Sequence, residues 1–521
     1  MDQPAPSPPS VNLATSVACL NCREKHLKCD GNVEGCGRCS ALNLFCHFVP
    51  SRRGRRAPKT GEPYLDPCDI PMIEEPPLDI SLPLLASDGM SPVYAPGNGG
   101  NAQGHSHLTK IFYECFHPAH PFLPPLDLWL AASPSQYLVN IVEFIGLHHV
   151  SPHPIPGSIS ELQSATNDAE LSVEQAQAYL LLSILLHARG VPEGAKEYIS
   201  LAIGCSLRLG MHCHEAADAV EMQDPVRAES MKRTWWEIFV IDTLLAAVQI
   251  RGTLQFNMET PGMPLPCDDK VYLEGHSAVS SISAPGLTRR SLFTDDNPIS
   301  SLAYRIEASL ILRQCLVACE EHASEETVDV LDAAISSWFH RWPSDRKAIL
   351  QPSGKVNQID LQAAMIMHCA SIYLHFTKSF LLPCLPATSE LFCSRPPGFS
   401  SPSTNAQWHT AKIGHAAVEL SKLASSSTSV SSHTPFFACT LVLSSIVQLT
   451  IVSTNAQQAF EKYHSFLGLN IGVLKSMGNI WTVAAVSMER LRGIVREVEA
   501  ALADAPRDVF GGLSIPSIPP R

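Results

Sequence analysis

Cys19-Leu-Asn-Cys22-Arg-Glu-Lys-His-Leu-Lys-Cys29 opens a run of six cysteines that continues through Cys36-Gly-Arg-Cys39 and ends at Cys46. The spacing is C-x2-C-x6-C-x6-C-x2-C-x6-C, the same half-unit written twice. Thiolates are soft ligands that hold zinc tetrahedrally, and a C-x-x-C turn lets two sulfurs reach one ion from a tight loop. Two such ions have eight ligand places between them. Six cysteines fill those places if two of the sulfurs bridge, so the pattern reads as two zinc ions in one shared thiolate cluster.

Other readings of the six cysteines fit less well. Three disulfides would require an oxidising compartment, and the Met1-Asp-Gln-Pro start carries no secretory signal. A RING-like two-zinc module would use different spacings and usually a histidine ligand.

The six cysteines resemble the fungal zinc binuclear cluster transcription factors, and their spacing fits that family without a gap. The resemblance implies that Cys19 and Cys36 are the bridging ligands, that Cys22 and Cys29 complete one zinc, and that Cys39 and Cys46 complete the other. It also implies a short helix between the second and third cysteines whose end enters the major groove. Here those positions carry Arg23, Lys25, His26 and Lys28. Lys25 and the backbone at the helix end are expected to carry most of the base readout and Arg23 and Lys28 to lie on phosphates, while His26 either faces the DNA and tunes affinity or packs against the cluster. The family usually has a proline just before the fourth cysteine; this chain has Val33-Glu34-Gly35, where the glycine supplies the backbone freedom.

The net charge of the 521-residue chain, −13, argues at first against a nucleic-acid partner. Its distribution reverses that conclusion. Residues 1–60 carry nine Lys/Arg against four Asp/Glu, a net of +5, and the remainder carries −18. The basic charge is concentrated on the cysteine module, as in a DNA-binding head. Eleven further cysteines, from Cys68 to Cys439, are scattered without a repeated metal spacing and read as small apolar groups of a reducing compartment.

In chain order, residues 1–17 are Pro/Ser-rich and expected to be disordered, and the zinc module spans 18–49. Ser51-Arg-Arg-Gly-Arg-Arg-Ala-Pro-Lys59 follows. Its Arg52, Arg53, Arg55 and Arg56 suit phosphate contacts, a nuclear import signal, or both. Residues 60–108 contain no Lys or Arg and are rich in Pro and Gly, so 50–108 reads as a basic run followed by a flexible acidic linker. No heptad repeat is sustained there, unlike the coiled coil that many family members place after the cluster.

From about residue 109 the apolar spacing is helical, and 109–504 reads as one large all-α domain followed by a flexible tail, 505–521. Ser172-Val-Glu-Gln175 has the form of a capping box, Gly190-Val-Pro192 ends one helix and starts another, Gly210 stops the second, and Asp224-Pro225 opens a third. Glu237 and Asp242 inside that apolar third helix point to a buried protein helix. Later helices are expected at 301–321, 325–342, 357–381, 406–423, 436–453 and 456–503. The uncharged segment 436–452 is at the lower length limit of a membrane span, but its Ser444, Ser445 and Gln448 favour a buried helix. Phe112-Tyr-Glu-Cys-Phe-His-Pro-Ala-His-Pro-Phe122, Ala202-Ile-Gly-Cys-Ser-Leu-Arg-Leu-Gly-Met211, and Arg233-Thr-Trp-Trp236 with Asp242 resemble the middle homology regulatory domain of the same family.

No catalytic signature accompanies these features. His148, His149 and His153, and the Met211-His-Cys-His214 run, lack the partnering of a helical metalloenzyme site, and there is no nucleophile elbow, phosphate loop or dinucleotide fingerprint. The expectation is therefore a small two-zinc module joined by a disordered linker to an all-α regulatory domain. The resemblance implies a nuclear, sequence-specific transcription factor acting on RNA polymerase II promoters, reading CGG-like triplets and controlling a metabolic or secondary-metabolite gene set. Its expected cofactors are two structural Zn2+ ions. Its expected partners are double-stranded DNA and the transcription machinery, with a homodimer and a small-molecule effector admitted and no membrane. The alternative is a zinc-stabilised interaction scaffold without specific DNA binding.

Overall fold

The computed structural model describes residues 28–30, 36–41, 107–151, 159–249, 252–256, 262–275, 286–287, 299–343, 356–381, 403, 405–425, 430–454 and 456–504. The expected disordered start, basic run, most of the linker and the tail lie outside these residues. The chain divides into two units, Met1–Asn98 and Gly99–Arg521. In the first, the described element is a short helix, α1 (Gly37–Ala41).

The second unit is a stack of helices, with no β-strand among its described elements. It opens with α2 (His107–Ile111), a π-helical turn (Phe112–Phe116) and a 3-10 turn (His117–Ala119). Pro118 has no N–H to continue an α-helical ladder, and the widened turn leaves the His117 N–H on Phe112 O. Then follow α3 (Leu126–Ala131), α4 (Gln136–Leu147), α5 (Ile159–Asn167), α6 (Val173–Ala188), α7 (Pro192–Arg208), α8 (His214–Glu221), α9 (Pro225–Val248) and α10 (Asp269–Leu273). The remaining helices are α11 (Ser301–Glu320), α12 (Glu325–Arg341), α13 (Gln358–Phe376), α14 (Ala406–Ser425), α15 (Phe436–Thr454), α16 (Ala456–Gly478) and α17 (Thr482–Asp504).

Local chemistry sets many of the helix ends. Ser172 Oγ accepts from Gln175 N at 3.1 Å, but Gln175 does not complete the capping box; its amide turns away to Thr166 O and Ala169 O. Gly190 and Gly210 take φ of +75° and +71°, conformations that only glycine adopts cheaply, where α6 and α7 end. Asp224 caps α9 through Arg227 N, with Pro225 in its first turn. The expected single run 456–503 is two helices. After Gly478, Ile480 N and Trp481 N both return to Met477 O and reverse the chain. Trp481 then stacks on His148 at 5.5 Å and meets His149 and Phe116 edge-on, tying the last turn to the first helices.

Helix α6 packs on α7 and α13 through α17 each pack on the next, whereas α11 packs on α13 across the intervening α12 and α17 returns to α6. Helix α9 is buried without interruption from Ala228 to Val248. Helix α15, long and apolar enough to cross a membrane, is 94% buried within the protein over its apolar window. Its polar residues join neighbouring helices: Ser444 Oγ and Gln448 Nε2 donate to Ala417 O of α14, and Asn470 Nδ2 of α16 donates to Ser445 Oγ.

Several histidines are held neutral by this packing. Burial alone pushes His187 down to about 3, and His149 and His433 down to about 4. His187 lies flat on Phe436, ring centroids 4.2 Å apart. Exposed on unfolding, each regains a value near 6.5, so the stability it contributes is complete above about pH 6.5 and is lost as pH falls toward its folded value. Each such group should destabilise the domain by about 1.4 kcal/mol per pH unit in that window. Urea midpoints measured from about pH 7.5 to about pH 5 should fall steadily, and His187→Gln should flatten the profile by one group's share. Parallel profiles for parent and variant would mean that His187 takes up its proton in the folded chain as readily as in the unfolded one.

Candidate metal centre and the polar centre of the helical domain

Of the expected DNA-binding head, the structure describes Lys28, Cys29, Cys36 and Cys39. Cys19, Cys22, Cys46, Arg23, Lys25, His26, Arg52, Arg53, Arg55 and Arg56 lie outside the described residues. Cys36 sits just before α1 and Cys39 within it, both buried, with Cys29 half-buried. The Cys39 N–H donates to Cys36 Sγ at 3.4 Å, so the first turn of α1 directs a backbone donor at the sulfur. Lys28 and Asp30 on either side of Cys29 are exposed, as is Arg38 of α1.

The ligand atoms of Cys29, Asp30 and Cys36 lie within 4.8 Å of one another. Two sulfurs on one tetrahedral zinc, each about 2.3 Å from the ion, are about 3.8 Å apart. The Cys29 and Cys36 sulfurs therefore lie within the range that one ion can hold, and among the described residues Asp30 is the competing ligand beside them. Zinc held there supplies a covalent-strength crosslink between segments too short to form a core. Arg38 is a basic residue that the sequence reading does not single out; its signal was its place between the fourth and fifth cysteines.

In the helical unit, the segments that resemble the regulatory domain meet around α9. His120 Nδ1 donates to Glu237 Oε1 at 2.8 Å, and its Nε2 accepts from Thr434 Oγ1 at 3.1 Å, which suits a neutral ring. Burial lowers the His120 pKa in agreement with that tautomer. Burial would raise the Glu237 carboxyl, but Arg305, with His120, holds it below its usual value. The Arg305 guanidinium grips Glu237 and also donates to Ala119 O and Gln362 Oε1. Two further buried pairs flank this one along α9. Arg233 joins Glu229 to Asp269 and lies 4.1 Å over the Tyr272 ring, and Asp242 accepts from Gln255 N, Phe256 N and Arg313. Arg233 also donates to Pro121 O, and Ser230 Oγ to Phe122 O, so the Phe112–Phe116 turn and its continuation are pinned to α9. The histidine pair His148 and His149 packs on Trp481, with His148 Nδ1 on Phe144 O, as core residues do; His153 lies outside the described residues.

Comparison with known proteins agrees with both units. Residues 17–56 match the Fungal Zn(2)-Cys(6) binuclear cluster domain, and residues 110–340 match the Fungal specific transcription factor domain. Over 95% of this chain and 82% of the relative, the sequence is 26% identical to the C6 finger domain transcription factor iacK of Pestalotiopsis fici. It is 37% identical over 59 residues, 11% of this chain and 14% of the relative, to the Transcription factor rglT of Emericella nidulans. No solved structure matches. A binuclear cluster domain binds two structural zinc ions, and together with the fungal-specific domain it makes a sequence-specific DNA-binding regulator of transcription, not an enzyme. The chain belongs to the fungal Zn(2)-Cys(6) binuclear cluster transcription factors.

Proposed function

We propose that this chain is a nuclear regulator of RNA polymerase II promoters whose zinc head reads CGG-like triplets, and that it controls a metabolic or secondary-metabolite gene set. In this reading Cys19 and Cys36 bridge the two ions, Cys22 and Cys29 complete one, and Cys39 and Cys46 the other. What supports the reading is the match of residues 17–56 to the binuclear cluster domain, with the ligand atoms of two of its cysteines, Cys29 and Cys36, within 4.8 Å of one another. Lys25 and the backbone at the helix end read the bases, Arg23 and Lys28 take the phosphates with exposed Arg38 a further phosphate contact, and His26 faces the DNA and tunes affinity. A homodimer would read two triplets at once, and a small-molecule effector would act on the helical unit.

Gel shifts of the full chain test this against a zinc-stabilised scaffold. CGG-containing duplexes should be retained over scrambled ones at moderate salt, whereas a scaffold gives weak, salt-sensitive and sequence-blind binding. Replacing Arg52, Arg53, Arg55 and Arg56 with alanine should weaken all duplexes alike, each lost phosphate contact lowering the salt slope by roughly one. A changed base preference with an unchanged slope would place these arginines in a groove. Loss of nuclear accumulation in the same variant would assign the import signal to this run.

A further inference from the structure

A cleft of about 1080 Å³ opens beside the Asp242–Arg313 pair, between α9, the segment 252–256, the end of α11 and the start of α12. Its floor is apolar and aromatic, formed by buried Phe239, Phe256 and Leu331. Val317 on α11 and Val330 on α12 line its walls and stay 39% and 64% exposed, so two branched apolar side chains face solvent across the same space. The volume and lining suit a drug-sized molecule with an apolar body.

The charges decide which kind. Arg313 is the cation of the lining, but it is already engaged: its guanidinium donates to Asp242 Oδ2 at 2.8 Å, Thr243 Oγ1 at 3.2 Å and Phe256 O, and lies 4.7 Å over the Phe239 ring. With Asp242 balancing it, Arg313 offers little to an anion. Glu321 and Glu326 also line the cleft, both exposed and neither in an ion pair among the described residues. Between them His322 is held at φ +52°, a conformation costly for a residue with a Cβ, in the turn joining α11 to α12. The cleft thus combines exposed branched apolar walls with two carboxylates outside any ion pair among the described residues.

We propose that this cleft binds a small amphipathic amine, its aromatic or branched body between Val317 and Val330 and its ammonium group at Glu321 and Glu326. The proposal rests on the reading of the helical unit as effector-responsive and names the place and the ligand chemistry. Binding is measured without DNA, so a failure here is distinct from a failure of the DNA-binding reading, which the gel shifts test alone.

The experiment is calorimetric titration of the zinc-loaded full chain with 2-(1-naphthyl)ethylamine, and with 2-(1-naphthyl)ethanol as its uncharged counterpart. The amine should bind about tenfold tighter than the alcohol at low salt, the advantage shrinking as salt rises. Glu321→Gln with Glu326→Gln should erase that advantage and leave alcohol binding unchanged. Val330→Arg, at an exposed position where folding is not at stake, should abolish binding of both probes. Equal binding of amine and alcohol by the parent chain, or undiminished binding by Val330→Arg, would overturn the proposal. So would the absence of binding by either probe at millimolar concentration.

Discussion

Replacing Cys36 with serine in the full chain should release both zinc ions, not one. If Cys36 is shared by both, its loss removes a ligand from each at once, whereas Cys39→Ser removes one ligand from one ion and should leave the other loaded. In small zinc modules the metal-binding free energy is folding free energy, on the order of 10–16 kcal/mol per structural site at neutral pH. The head should therefore unfold in Cys36→Ser and lose its DNA affinity, while the helical domain keeps its own cooperative unfolding transition. Metal analysis of the purified protein reads the outcome directly: two ions in the parent, none in Cys36→Ser, one in Cys39→Ser. A single ion retained by Cys36→Ser would remove the bridge from that residue. Asp30→Asn is the companion variant, because the Asp30 carboxylate lies within 4.8 Å of the Cys29 and Cys36 sulfurs. It should keep both ions; loss of one would make Asp30 a ligand in place of a cysteine.

What could be read in advance follows from the range of the interactions. Metal ligands in a small module are set by local spacing, so six cysteines declare themselves. Helix ends are equally local: Ser172, Asp224, Gly190 and Gly210 act on backbone groups a few residues away, and the structure shows them at helix ends. The break at residues 479–481 was also written locally, in Gly478-Asn479, but the apolar period resumes in phase closely enough to hide a reversal. The π-helical turn at Phe112–Phe116 was not legible, since nothing in five largely aromatic residues distinguishes a widened turn from an α-helical one until Pro118 is placed. Least legible were contacts across long separations. Glu237 and Asp242 could be read as buried, and they are, but their partners Arg305 and Arg313 are residues that on pattern alone belong on a surface. The same holds for the cleft, whose walls come from four separate segments.

The largest stability loss within the helical domain should come from Glu237→Ala. The carboxylate is fully enclosed, and so is the Arg305 guanidinium that it neutralises, with side-chain exposures of 2% and 1%. Removing one charge strands the other in a medium where water cannot compensate it, and breaking such a pair typically costs 3–5 kcal/mol. His120 loses its acceptor at the same time, leaving a buried N–H without a partner in the fold. The loss is therefore expected at the upper end of that range. Arg305→Met strands Glu237 in the same way and should cost a similar amount. Combining Glu237→Leu with Arg305→Met removes both charges and keeps most of the volume. If the cost of each single change lies mainly in the charge left behind, the double variant should be more stable than either single one, since apolar replacement of a buried pair is often close to neutral. Urea denaturation followed by helix content gives the four free energies of the cycle. Single variants that cost less than about 1 kcal/mol would show that water reaches the pair. An additive double variant would show that the two residues stabilise the domain separately. The opening turn should respond as well, because Ala119 O accepts from both Arg305 and Gln362 and is one of the points where the continuation of the Phe112–Phe116 turn is fastened to the centre of the stack.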